Sequence, residues 1–170
     1  MLPPFDLKSW VDENREVLRP PVGNKCIYED PEFIIMAVGG PNKRADFHIN
    51  ESSEFFYQIE GDIVLKVREK AKVRDVVIKQ GEIFLLPGLV PHSPQRPEGT
   101  VGLVIERKRR EGEQDGFIWY CENCGAKVYD HFFHLTDIEK QLPPIFAEFY
   151  DNPANSTCPK CEHRQKRNPS

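Results

Sequence analysis

Between residues 33 and 107 the chain passes through six short segments rich in valine, isoleucine and phenylalanine, with no helical stretch between them. They are FIIMAV (33–38), EFFYQIE (54–60), DIVLKVR (62–68), VRDVVIK from residue 73, EIFLLP (82–87) and VGLVIER (101–107). β-Branched and aromatic residues suit a pleated surface, and the glycines, prolines and charges around each segment mark turns. Such a succession predicts an all-β domain, an antiparallel sandwich or jelly roll, and argues against a βαβ fold. DIVLKV and RDVVIK alternate as half-buried strands do. EIFLLP reads as a strand buried on both faces, and Gly61-Asp62 is a compact hairpin signal.

The flanks read differently. Residues 6–18 are expected to form one short helix, with Asp6 as N-cap, Leu7, Trp10, Val11, Val17 and Leu18 near one face, and Pro20-Pro21 as its end. The polar stretch KRREGEQDG (108–116) sets the boundary: a barrel with its N-terminal helix over 1–110, and a small C-terminal extension over 111–170 packed on it. Within the extension FIWYC forms a strand, and Thr136-x-x-Glu139 matches a capping box. Ile138, Leu142, Ile145, Phe146 and Phe149 give the following helix an apolar face, which Pro143-Pro144 should break or restart. The tail EHRQKRNPS reads as a frayed terminus.

Composition narrows the class. A chain of 170 residues buries a core without cross-links. Lysine plus arginine against aspartate plus glutamate is 23 − 27, a net charge of −4, which argues against a nucleic-acid partner. No apolar run approaches the roughly 18 residues of a membrane span. MLPPFDLKSW lacks the basic start and apolar stretch of a signal peptide, so the cytoplasm is expected.

Cys121-x2-Cys124 and Cys158-x2-Cys161 form a tetrathiolate signature, because each tight knuckle aims two sulfurs at one ion. Iron or zinc fits four thiolates. With four sulfurs the coordination sphere is closed to substrate, so the site reads as a rubredoxin-like clip tying the C-terminal helix to the FIWYC strand. Nucleic-acid-binding zinc ribbons share this spacing, but the acidic balance argues against that use. Cys26 reads as a buried strand residue.

A second cluster is less conspicuous. His48 and Glu54 flank the start of one strand and His92 follows another. Two imidazoles and a carboxylate are the ligand set of a facial triad, which leaves metal positions open for a chelating substrate and oxygen. Spacing alone does not single these residues out. The surrounding segments, however, resemble the two cupin motifs, with Asn50 where a second histidine commonly stands, six residues between Glu54 and Gly61, and Gly81-x5-Pro87 before His92 with its glycine spacing shifted. The departure at Asn50 implies three ligands rather than four.

PPVGN (20–24), VGGPNKRADFH (38–48), EFFYQ (54–58), FLLPGLVPHSPQRP (84–97), VIER (104–107), WYC-x2-C (119–124) and CPKC (158–161) resemble, in order and over nearly the whole chain, the 3-hydroxyanthranilate 3,4-dioxygenase family of the cupin superfamily. That resemblance implies an Fe(II)-dependent extradiol-type enzyme. It would open 3-hydroxyanthranilate with O2 to 2-amino-3-carboxymuconate semialdehyde, leading to quinolinate and NAD from tryptophan by way of kynurenine. It implies His48, Glu54 and His92 as ligands of the catalytic iron, a second Fe or Zn on the four cysteines, and a homodimer.

Among the remaining residues, it implies that Arg96 and Glu106 contact substrate and that Arg44 lies beside the oxygen and substrate positions. Glu54 belongs to the same substrate site, and Val22, Asn24, Phe56 and Pro94 line the pocket. The residue types suit the chemistry, since a guanidinium fork meets a carboxylate with two charge-assisted bonds. A carboxylate on the apolar strand VGLVIER must be paired or used, as in accepting the substrate's hydroxyl proton. Either arginine could instead make a surface ion pair, and Glu106 could pair with Arg107 or Arg44. Asp46 could orient His48 or Arg44, or serve as a turn residue. Two rivals share the ligand trio: a non-catalytic cupin module that senses a small carboxylate, and a cupin enzyme with another substrate, such as an isomerase or thiol dioxygenase.

Overall fold

The computed structural model describes residues 3–20, 23–70 and 72–167. In chain order its elements are α1 (Leu7–Glu13), β1 (Asn24–Glu29), β2 (Phe33–Gly39), β3 (Asp46–Ile49), β4 (Glu54–Glu60), β5 (Ile63–Glu69), β6 (Lys72–Ile78), β7 (Ile83–Leu86), β8 (His92–Gln95), β9 (Val101–Arg107), β10 (Asp115–Tyr120), β11 (Lys127–Phe133), α2 (Ile138–Asp151) and α3 (Pro153–Ser156). The strands make two antiparallel sheets, ordered β1-β2-β9-β4-β7 and β11-β10-β3-β8-β5-β6. The expected all-β jelly roll is present.

Period-two alternation puts one face of each strand inside. Met36, Phe56, Leu86 and Val104 of the first sheet meet Ile63, Leu65, Val67 and Ile78 of the second in the main core. Ala37, the neighbour of Met36, faces outward and is covered by Val11 and Leu18 of the N-terminal segment. That segment lies so close that a Cβ at Gly39 would stand 2.0 Å from the Leu18 carbonyl oxygen, so only glycine fits there.

Several elements depart from their sequence reading, each for a local reason. Asp6 does cap α1, accepting from the Ser9 N–H at 2.7 Å, but the helix stops at Glu13 rather than 18. Asn14 turns its amide back onto the Trp10 carbonyl and is itself held by Lys25. β7 is not buried on both faces; it is a sheet edge, and Ile83 and Leu85 are more than half exposed. Gly61, at φ +63°, makes a turn but no hairpin pair: it carries the chain from β4 in one sheet to β5 in the other.

The prolines do not break α2, which runs unbroken from Ile138 to Asp151. Their missing donors fall together in the second turn, and Ile145 and Phe149 hold the rest of the helix against Phe117 and Trp119. At its start Gln141 Oε1 accepts from the backbone N–H groups of Thr136 and Asp137; the Glu139 side chain of the expected capping box lies outside the described residues. The tail is anchored rather than frayed as far as Gln165, whose buried side chain donates to the Tyr120 carbonyl. The six-stranded sheet continues across residue 110, with β10 pairing β3 and β11 at its edge. Cys26 sits half-buried on β1 against the main core.

Candidate active site

Cross-strand register gathers the site. His48 on β3 lies directly opposite His92 on β8 and, on its other side, Phe117 on β10. In the facing sheet Glu54 on β4 lies opposite Glu106 on β9. Directly opposed residues share a face, so each sheet sends a pair into the barrel interior. There His48 Nδ1 stands 3.3 Å from Glu54 Oε1, and His92 Nε2 stands 3.3 Å from Glu54 Oε2. The three side chains can offer ligand atoms that all lie within 4.8 Å of one another.

The outward nitrogens are engaged. His48 Nε2 is 2.7 Å from Asp115 Oδ2, and His92 Nδ1 donates to the Val90 carbonyl at 3.0 Å. Each imidazole therefore turns its other nitrogen toward Glu54, the nitrogen that a divalent cation would take. Burial alone would raise the Glu54 carboxyl, yet His92 and His48 hold it well below the usual carboxylate range. Burial likewise opposes a charged His48, but hydrogen bonds to Asp115 and Glu54 push it up to about 9. A cluster this rich in facing donors suits a cation.

Asn50 takes a different part from the histidine of the commoner motif. Its amide donates to Glu54 Oε1 at 2.8 Å and to Glu106 Oε2 at 2.9 Å, bridging the two carboxyls. Glu106 pairs with neither Arg107 nor Arg44 but with Arg109, at 2.9 Å. Burial, together with the charge of Glu54, pushes Glu106 up to about 7 against the pull of Arg109. Arg107 pairs with Glu113 instead.

The two arginines differ. Arg44 is paired with Asp46 and lies over the rings of Phe117 and Phe146, 5.4 and 5.8 Å from their centroids. Asp46 therefore holds Arg44. Arg96 is 2% exposed, and among the described residues its side chain hydrogen-bonds only Gln58, at 3.3 Å, while its Nε has no partner. Burial and the charge of Arg44 lower it to about 10. An interior cation with no carboxylate beside it calls for an anionic ligand.

One cleft joins these groups. Asn24, Arg44, His48, Glu54, Phe56, His92, Pro94, Arg96 and Glu106 all line it, while Val22 lies outside the described residues. Sequence reasoning missed Asp115, Phe117, Leu135, Ile138 and Leu142, which also line it. Ile138 and Leu142 were legible as an apolar helix face, but periodicity does not distinguish a face on the core from one on a cavity.

The cysteines cluster apart, two in the turn after β10 and two after α3. Cys121 and Cys161 sulfurs are 3.5 Å apart, Cys124 and Cys158 sulfurs 3.6 Å, and all four lie within 4.8 Å. The knuckles match: Gly125 N–H donates to the Cys121 carbonyl and Glu162 N–H to the Cys158 carbonyl, both residues at positive φ. Hydrogen bonds from the His163 backbone and the Asn123 amide lower Cys161 to about 6, while burial and the neighbouring thiols push Cys124 up to about 12. Among the described residues no helix is long and apolar enough to cross a membrane.

A sequence profile described as 3-hydroxyanthranilic acid dioxygenase matches residues 1–150. A 3-hydroxyanthranilate 3,4-dioxygenase from Xanthomonas euvesicatoria is 53% identical over 163 residues, spanning 96% of this chain and 92% of that protein. One from Bacillus cereus is 47% identical over 160 residues, spanning 94% and 89%. A cupin-2 domain containing protein from Shewanella frigidimarina is similar in structure, at 17% identity and a TM-score of 0.48 over 60% of this chain and 99% of that one.

Proposed function

The chain belongs to the 3-hydroxyanthranilic acid dioxygenase family, and from that premise we propose that it opens the ring of 3-hydroxyanthranilate with O2 at the His48–Glu54–His92 centre. The observation that carries this reading is the solitary buried Arg96 in the same cleft as that trio. A cleft with a cation-binding trio at one place and an unpaired guanidinium at another suits a small aromatic carboxylate that also chelates.

His48, Glu54 and His92 would hold iron(II), which supplies a redox-active Lewis acid for the substrate's hydroxyl and amine and for dioxygen. Arg96 takes the substrate carboxylate through its fork. Glu106, sitting near neutrality, accepts the hydroxyl proton as substrate binds, and Asn50 keeps its carboxylate in register with Glu54. Arg44, braced by Asp46 and two rings, sets positive charge beside the reacting oxygen and the ring. Asn24, Phe56 and Pro94 shape the walls, and Leu135, Ile138 and Leu142 add apolar lining that keeps water out. Both oxygen atoms enter 2-amino-3-carboxymuconate semialdehyde, which closes unaided to quinolinate, a precursor of NAD.

The four cysteines would carry a second Fe or Zn as a structural ion. The protein would work in the cytoplasm, where reduced thiols persist. It would work as a homodimer, in keeping with the bare apolar side chains of edge strand β7. The test is anaerobic reconstitution with iron(II), then addition of 3-hydroxyanthranilate and air. The ring-opened chromophore should grow in the ultraviolet as one O2 is consumed per substrate. Iron-loaded protein that binds the compound without consuming either reactant would point to a carboxylate-sensing module instead.

A further inference from the structure

Behind His48 lies a buried network of charged groups. Asp115 opens β10, and Arg109 precedes it in the loop after β9; both side chains are 1% exposed. The Arg109 fork spans both carboxylate oxygens, Nε to Oδ1 and Nη2 to Oδ2, the latter at 2.6 Å. The same Nη2 reaches Glu106 Oε2 at 2.9 Å. On its free side Asp115 Oδ2 meets His48 Nε2 at 2.7 Å.

The direction of that last bond is fixed by its neighbours. A guanidinium keeps its protons, so the carboxylate it clamps stays ionised and can only accept. The imidazole must then donate from Nε2, which leaves Nδ1, the nitrogen that faces Glu54, as the one a metal ion would take in place of a proton. Phe117 flanks the ring, centroid to centroid 5.2 Å, and limits its rotation. His92 reaches the same state by a simpler route, donating to the Val90 carbonyl.

We infer that Asp115, clamped by Arg109, is the positioning group that sets the tautomer and ring plane of His48, and that Arg109 ties this support to Glu106. The inference rests on the trio being the metal centre. Without an acceptor behind it, His48 can turn or take the other tautomer, which aims a proton at the ion. Loss of such an outer partner weakens metal binding by about 10- to 100-fold.

The test is Co(II) affinity by chelator competition on the full chain, with His92→Ala defining the ions bound elsewhere. Asp115→Ala should weaken the difference by about 10- to 100-fold. It should also erase the downfield imidazole N–H proton resonance of His48 in Zn(II)-loaded protein, while that of His92 persists as evidence that the centre is folded and loaded. If Asp115→Ala does not fold, Asp115→Asn keeps the volume; its single oxygen serves fewer donors, so the same two readouts should move in the same direction. Unchanged affinity with the His48 resonance in place would overturn the inference. Wild-type protein binding no more Co(II) than His92→Ala would instead overturn the centre itself, before any Asp115 variant is made.

Discussion

The two clusters that can hold cations are built on opposite plans. The cysteines come from two near-identical knuckles, each closed by its own backbone hydrogen bonds. The trio comes from β3, β4 and β8: His48 and Glu54 are near in sequence but lie in opposite sheets, and His92 comes from a distant strand, so the three meet only because two sheets face each other. The knuckle site has four like donors. The trio has three donors and a cleft lined by an unpaired cation, a carboxyl near neutrality and apolar walls. A site that needs only to hold an ion can be local; one that must also present the ion to a substrate has to recruit many strands.

That contrast is broken most severely at Glu54. Glu54→Ala removes the ligand that both histidines face, so iron at the centre should vanish by elemental analysis and turnover with it, while circular dichroism shows the fold retained. Full iron occupancy in that variant would contradict the ligand set. Next in size is Glu106→Gln, since losing a positioned base costs about 10²–10⁴ in rate. Its sign with pH follows from the raised value: neutral below about 7, Glu106 accepts a proton only above it. Wild-type kcat/KM should therefore fall as pH drops through about 7, and Glu106→Gln should lose that limb. Arg96→Ala follows. A charge-assisted hydrogen bond contributes about 1.5–3 kcal/mol, so kcat/KM should drop by roughly tenfold to a few hundredfold. An unchanged value with iron bound would remove Arg96 from the carboxylate site.

The same contrast governs what the chain reveals on reading. VGLVIER and EFFYQIE announce strands by composition and appear at those residues. The cysteine knuckles are legible because their geometry is encoded within a few residues. β3 and β8, which carry the two histidines, are four residues each; DFHI alternates but is too short to announce a strand, and HSPQ has no alternating apolar pattern. EIFLLP is apolar enough for an interior, but sheet order makes it an edge. Pro143-Pro144 signals a break that tertiary packing overrides. Arg109 and Asp115 sit in a stretch so polar that it reads as a linker; only the fold turns them inward. The family resemblance pointed to the trio where spacing could not, and the register brings its three side chains together.

The mildest effect on turnover should come from the knuckle side. Cys158→Ser removes one of four sulfurs, so the second ion should be lost by elemental analysis and the melting temperature should fall, because a structural metal contributes folding free energy directly. Turnover should survive. Ile138 and Leu142 belong to the first turns of α2, and α2 is held to β10 without the cysteines, through Phe149 stacked on Trp119 at 4.4 Å and through Phe146 against Phe117. Freeing the segment beyond α3 should loosen the cleft wall slightly, raising KM by less than about tenfold, the size of one modest contact, with kcat held. If kcat or the iron at the trio falls with the cysteine ion, the two clusters are coupled. The separation between a holding site and a working site would then be wrong.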